Sequence, residues 1–183
     1  MDQTINSDNY RLIRPQEDEC APFYKGYIQN VVGNDFLKCL KESADSTLEL
    51  MRNIPADRWD HRYAPDKWTV KDIFVHLMDS ERIFVYRALR IARGDTTPLP
   101  GFEQDDYVLP AKTSRRSPAS LMAEYSAVRA ASISLFSNLD EEAMSARGTA
   151  SGKACSVRAI GFIMAGHEIH HLNILNERYF EHV

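Results

Sequence analysis

The chain of 183 residues sets 22 Lys and Arg against 26 Asp and Glu, for a formal net charge of -4, and is 44% apolar. That length makes one domain, 1–183, able to bury its own core, and that charge gives no general attraction to nucleic acid or to an anionic membrane surface. Cys20, Cys39 and Cys155 are widely spaced, odd in number and form no CxxC, which argues against both a disulfide framework and a zinc knuckle.

The first ten residues, MDQTINSDNY, are polar and aperiodic and read as a tail. They hold no basic region followed by an apolar stretch, and no run in the chain reaches the ~18 apolar residues that span a bilayer. The expectation is a cytoplasmic protein with free thiols and neither membrane nor nucleic-acid partners. Around Phe23, Tyr24, Tyr27 and Ile28, the residues Pro15, Pro22 and Gly26 suggest a short turn or helix laid across a bundle end, its aromatics serving packing.

Four amphipathic helices follow. From about Gly33 to Asn53, Phe36, Leu40, Ala44, Thr47, Leu48 and Met51 recur at helical spacing. After the charged connection IPADRWDHRYAPDKW, Thr69 caps a second helix with Asp72 at its third position, and Gly94 stops it. Ile73, Leu77, Phe84, Ala88 and Ile91 form its apolar stripe. His76 borders that stripe, in line with Ser80, Ile83 and Arg87, and this polar line reads as a groove leading into the bundle. Trp59 and Trp68 are placed over the start of this helix.

Residues 95–117, rich in Pro, Asp and Thr, read as a long irregular connection. The third helix runs from about Pro118 to Asn138 with Ser117 as its cap, and the small, polar LDEEAMSARGTASGKACS leads to the fourth, which starts near Ser156. No alternating strand is recognised. The expected fold class is all-α: a four-helix bundle in which the ~20-residue connection between helices two and three crosses the bundle length and leaves those two parallel.

In the fourth helix Ile160, Met164, His167, His171, Ile174 and Leu175 fall within an arc of about 100°. His167 and His171 therefore project from one core face about one turn apart, ~6 Å, which is a metal-ligand spacing. A lone histidine on an apolar face is ordinarily a satisfied core residue. An i, i+4 pair on one core stripe with His76 on another favours a divalent-metal site of three imidazoles with an open position. His170 lies about 60° from His167 and is an alternative partner at i, i+3, although His171 is nearer the centre of the stripe. His170 otherwise reads as a flank residue facing solvent or Glu177.

Glu168 flanks the other side, as an orienting or proton-transferring carboxylate or else as an exposed surface residue. HEIHH matches HExxH literally, with Glu168 as base, but the strand structure that accompanies peptide cleavage is missing. Cys155 is placed where a helix dipole can lower a thiol pKa, yet ~18 Å along the axis from His167. Arg87 reads as a receiver of an anionic substrate group or as the partner of Asp105 or Asp106. His61 and His182 read as surface residues.

The run APDKWTVKDIFVHLMDSERIFVYRALRIARGDTTPLPGFEQDDYV and the closing AGHEIHHLNILNERY resemble the DinB-like superfamily of metal-binding four-helix proteins, which is unrelated to the DNA polymerase of similar name. The likeness extends from about Arg14 to Tyr179. It implies an up-down-down-up bundle and a metal site of His76, His167 and His171. Relatives include S-transferases that use bacillithiol, mycothiol or glutathione-like thiols, and others assigned as metal-dependent hydrolases or stress-induced proteins. The leading expectation is a transferase in which zinc or nickel binds a low-molecular-weight thiol, with His76, His167 and His171 as ligands and Ser80 and Arg87 along the cosubstrate's route. A hydrolase using water, with Glu168 or His170 as base, and a non-catalytic metal-binding bundle are the alternatives. Partners are expected to be a small-molecule substrate and, in a homodimer, a second copy of the chain.

Overall fold

The computed structural model describes residues 13–180; the tail 1–10 and His182 lie outside them. Four long helices make the body: α2 (Phe36–Asn53), α3 (Val70–Ala92), α5 (Pro118–Ser137) and α7 (Val157–Ile174). They are joined by the shorter α1 (Lys25–Asn30), α4 (Gln104–Ala111) and α6 (Glu141–Ser145) and by a hairpin, β1 (Arg147–Ala150) and β2 (Lys153–Ser156). Each long helix starts at a side-chain cap that accepts a backbone N–H: Asp35 from Lys38, Thr69 from Asp72, Ser117 from Ser120 and Ser156 from Ala159. At Thr69 the Asp72 carboxylate returns the bond to the cap N–H at 2.9 Å, completing a capping box.

The two halves of the core fix the topology. One cluster joins Phe36 and Leu40 from the start of α2 with Phe84 and Ile91 late in α3, Phe136 late in α5 and Val157 at the start of α7. The other joins Met51 late in α2 with Val70 and Phe74 early in α3, Leu121 early in α5 and Leu175 after α7. Hence α2 and α7 run one way and α3 and α5 the other, which is up-down-down-up. The parallel pair α3 and α5 requires the crossover of residues 93–117.

Two connections depart from their sequence reading. The crossover contains α4, and Leu99 forms a bridge to Ala150 of the hairpin, with Leu99 N–H donating to Thr149 O at 2.8 Å. The hairpin replaces what reads as a flexible linker. Ser151 and Gly152 both take positive φ, 53° and 71°, as a two-residue primed turn requires. Its strands pair Arg147 with Ser156 and Ala150 with Lys153.

The N-terminal segment also differs from expectation. Rather than lying over a bundle end, α1 crosses the middle of α7, where Gly166 lets the backbones touch; a Cβ there would collide with the carbonyl of Tyr27. Gly166→Ala is therefore expected to push α1 off its seat at a cost of about 1–3 kcal/mol. For a chain of this size that lowers the thermal midpoint by about 2–12 °C, read in a calorimetric or circular-dichroism melt. Among the described residues, no helix is long and apolar enough to cross a membrane.

Candidate metal centre

The antiparallel contact of α3 with α7 brings His76 onto the pair His167 and His171. The three rings form a near-equilateral triangle, with centroids 4.9, 4.8 and 4.6 Å apart. One nitrogen from each lies within 4.8 Å of the others, and His76 Nε2 stands 3.0 Å from His167 Nε2. Two imidazole nitrogens at that separation can share one divalent ion at the usual ~2.0–2.1 Å. On the far side of its ring, His76 Nδ1 lies 3.4 Å from Ser80 Oγ, one turn along α3, which fixes the ring's orientation.

Burial has made all three rings poor bases. It lowers His76 to about 4, against a smaller opposing pull from Asp105. Burial, then the neighbouring His76 and His170, lowers His171 to about 3. His167 is held well below the ordinary imidazole value by burial and then by His171 and His76. All three are neutral at pH 7 and present lone pairs with no proton to displace.

The same shifts make the metal-free fold sensitive to acid. The unfolded chain takes up protons near pH 6.5 and the folded site does not, so the contribution is fully present above pH 6.5. It is lost as pH falls toward 4, at up to about 1.4 kcal/mol per pH unit per histidine. Denaturant melts of chelator-treated protein at pH 7, 6 and 5 should show that slope, and replacing His76 with Gln should reduce it.

The other expected site residues fall in different places. His170 is half-buried, its ring 5.3 Å from Tyr27 and 5.1 Å from His171, outside the triangle. Glu168 is neither exposed nor at the histidines: it is 2% exposed and points into the bundle on the other side. There it accepts from Ser43 at 2.6 Å, Thr47 at 3.0 Å, Arg129 at 2.9 Å and Tyr125. Burial pushes its carboxyl up, but the Arg129 guanidinium and the hydroxyls outweigh that and hold it below the usual range.

Arg87 meets neither Asp105 nor Asp106. Its guanidinium donates to Pro100 O at 2.7 Å and Ser151 Oγ at 3.2 Å, tying crossover to hairpin. Ser80 and Arg87 are both buried, so the polar line on α3 is not an open groove. Cys155 lies within β2 rather than opening α7, and burial raises its thiol pKa. His61 packs 6.1 Å from Tyr179.

Four residues gain a part that their sequence context does not announce. Trp68 lies 4.7 Å from His76 and stacks at 16° to His171, 6.4 Å away, forming one wall of the site. Tyr27 and Phe84 stand 5.2 and 5.8 Å from His167. Asp79, one turn after His76, has its carboxyl raised by burial and lines the cavity beside that ring. The i, i+3 spacing from His76 is the signal that could have found it.

A model of the DinB superfamily matches residues 40–175. No match is found among curated proteins. Among solved structures the chain is similar to YfiT from Bacillus subtilis, with 16% identity over 92% of this chain and 95% of that one and a TM-score of 0.67. That protein is described as "a probable metal-dependent hydrolase with an unusual four-helix bundle topology".

Proposed function

The chain belongs to the DinB superfamily, and on that premise we propose that it is a metal-dependent enzyme, a transferase that joins the sulfur of a low-molecular-weight thiol to an electrophilic carbon. The observation that carries this reading is the make-up of the site: three uncharged imidazoles converge, and among the described residues no carboxylate is grouped with them. A divalent ion such as zinc or nickel would be held by His76, His167 and His171, whose neutral nitrogens leave its charge uncompensated, and it would supply the acidification of a bound thiol.

The chain's own residues do the rest. Ser80 sets the ring of His76, while Trp68, Tyr27 and Phe84 shield the site from bulk water. In the transfer the S–H proton passes to solvent, the sulfur forms the new C–S bond, and the leaving group departs with its electron pair. No protein base is required, because an acidified thiol is ionised at neutral pH.

Hydrolysis is the second reading, favoured by the description of the Bacillus subtilis protein. It asks for a base near the ion, and Glu168 already accepts from four side chains elsewhere. His170, beside His171, and Asp79, in the cavity beside His76, are the residues left for that part.

The two readings separate in one assay. Zinc-loaded protein is given monobromobimane with cysteine or glutathione, and p-nitrophenyl acetate without thiol. The transferase predicts zinc-dependent conjugation that His76→Ala abolishes. Ester turnover that needs zinc but no thiol, with no conjugation, would establish the hydrolase instead. Zinc bound without turnover of either probe would point to a non-catalytic metal-binding protein.

A further inference from the structure

His76 borders a cavity of about 10 Å³ between α3 and α4, walled by Val75, Phe102, Tyr107 and Val108. That is about the space of one water. Through Asp72, Val108 and Thr113, this cavity adjoins an outer groove of about 520 Å³ between the loop Asp60–Thr69 and the end of α4. The groove has the size of a small-molecule site, and Trp68 lines it while also standing against His76.

The charges along the groove are unequally committed. Asp60 is paired with Lys71 at 2.9 Å, and Asp72 is taken up by the Thr69 N–H and the Thr113 hydroxyl. Arg62, Lys67 and Lys112 form no ion pair among the described residues and face one equally unpaired acid, Asp66. Lys112 is also held at φ 48°, ψ 44°, a left-handed cap that glycine or asparagine fills at lower cost. The strain is kept at the position that sets a lysine on the groove.

The cover of the inner cavity is loosely seated. α4 contributes no buried residue, yet both its flanks are pinned, by Leu99 on the hairpin and by the buried Thr113 on Asp72. A strap fixed at two ends and free between them can lift without unfolding the bundle.

We propose that the outer groove and inner cavity together bind an elongated anionic thiol, its carboxylate-bearing end held by Arg62, Lys67 and Lys112 and its slim sulfur arm reaching His76 beneath a displaced α4. The sulfur in this assignment rests on the transferase reading; the anionic groove does not. The test uses S-methylglutathione, a dicarboxylate whose sulfur is capped, titrated calorimetrically into the full chain with and without zinc. Saturable binding is expected in both forms. It should weaken at least tenfold in Lys67→Ala/Lys112→Ala, whose exposed side chains leave the core intact, and equally for the dimethyl ester of the probe. Binding should also slow amide exchange in Gln104–Ala111.

Absence of saturable binding, or equal binding of the ester, would overturn the groove. Unchanged exchange in α4 would overturn its part as the cover. Binding of the capped probe, with no zinc-dependent gain when free glutathione replaces it, would leave the groove standing while the transferase reading fails.

Discussion

His76→Ala is expected to weaken zinc binding by at least about a hundredfold. Residues that merely orient a ligand are worth 10–100-fold in metal affinity, so a ligand itself sets that as a floor. The effect is large because α3 supplies one imidazole and α7 the other two, His167 and His171, which alone make a two-point site. Competition with a chromophoric chelator reads the loss directly. Thermal melts read it by linkage: at free zinc a thousandfold above its Kd, binding stabilises the wild-type fold by about 4 kcal/mol. For a chain of this length that raises the midpoint by about 8–16 °C. A hundredfold loss reduces the gain to about 1.4 kcal/mol, a third of that shift. An unchanged zinc-induced shift in the variant would remove His76 from the site.

The parts of this molecule that were legible from sequence are those in which a helix presents one apolar stripe. The stripes of α2, α3, α5 and α7 and the phase of His167 with His171 follow from a 3.6-residue repeat, and the capping residues Thr69 and Ser117 mark where two of those repeats begin. What stayed hidden has no such stripe. In α4 no side chain is buried, so nothing repeats. The hairpin strands RGTA and KACS are four residues each, mostly polar, and held by a Ser-Gly turn and by Leu99 from 50 residues upstream.

Glu168 was misplaced for a different reason. Its phase on α7 is plain, but its partners come from two other helices, Ser43 and Thr47 on α2 and Tyr125 and Arg129 on α5, with Glu81 of α3 behind Arg129. The sequence did carry a hint. Arg129 sits in register with the buried Leu121, Tyr125, Ser132 and Phe136, and a charge on a core stripe asks for a buried counter-charge.

That cluster is where the largest effect on stability is expected. The Arg129 guanidinium donates to Glu81 at 2.8 and 3.0 Å, to Glu168 at 2.9 Å, to Ser43 at 2.8 Å and to Leu40 O at 3.2 Å, joining all four long helices. Arg129→Met leaves two buried carboxylates without their cation. Breaking a buried ion pair in this way costs about 3–5 kcal/mol, or about 6–20 °C in the melting midpoint. The pH dependence should also change. In the wild type the lowered carboxyl of Glu168 adds stability that is present above the ordinary Glu pKa and lost as pH falls through the folded one. Without the guanidinium, only the Ser43, Thr47 and Tyr125 hydroxyls offset the desolvation of Glu168, so the part of the acid sensitivity that this carboxylate contributes should shrink in the variant. Replacing all three charges with Met and Leu should recover much of the loss, since a well-packed apolar substitute can match a buried ionic group.

Glu168→Gln isolates the functional question. It removes the charge from a residue that touches four side chains and no histidine nitrogen, so it should lower the melting midpoint while leaving the zinc Kd and thiol conjugation within about threefold of wild type. A general base removed at the same position would cost 10²–10⁴ in kcat. A fall of that size in protein still folded at the assay temperature would return Glu168 to the chemistry and restore the hydrolytic reading.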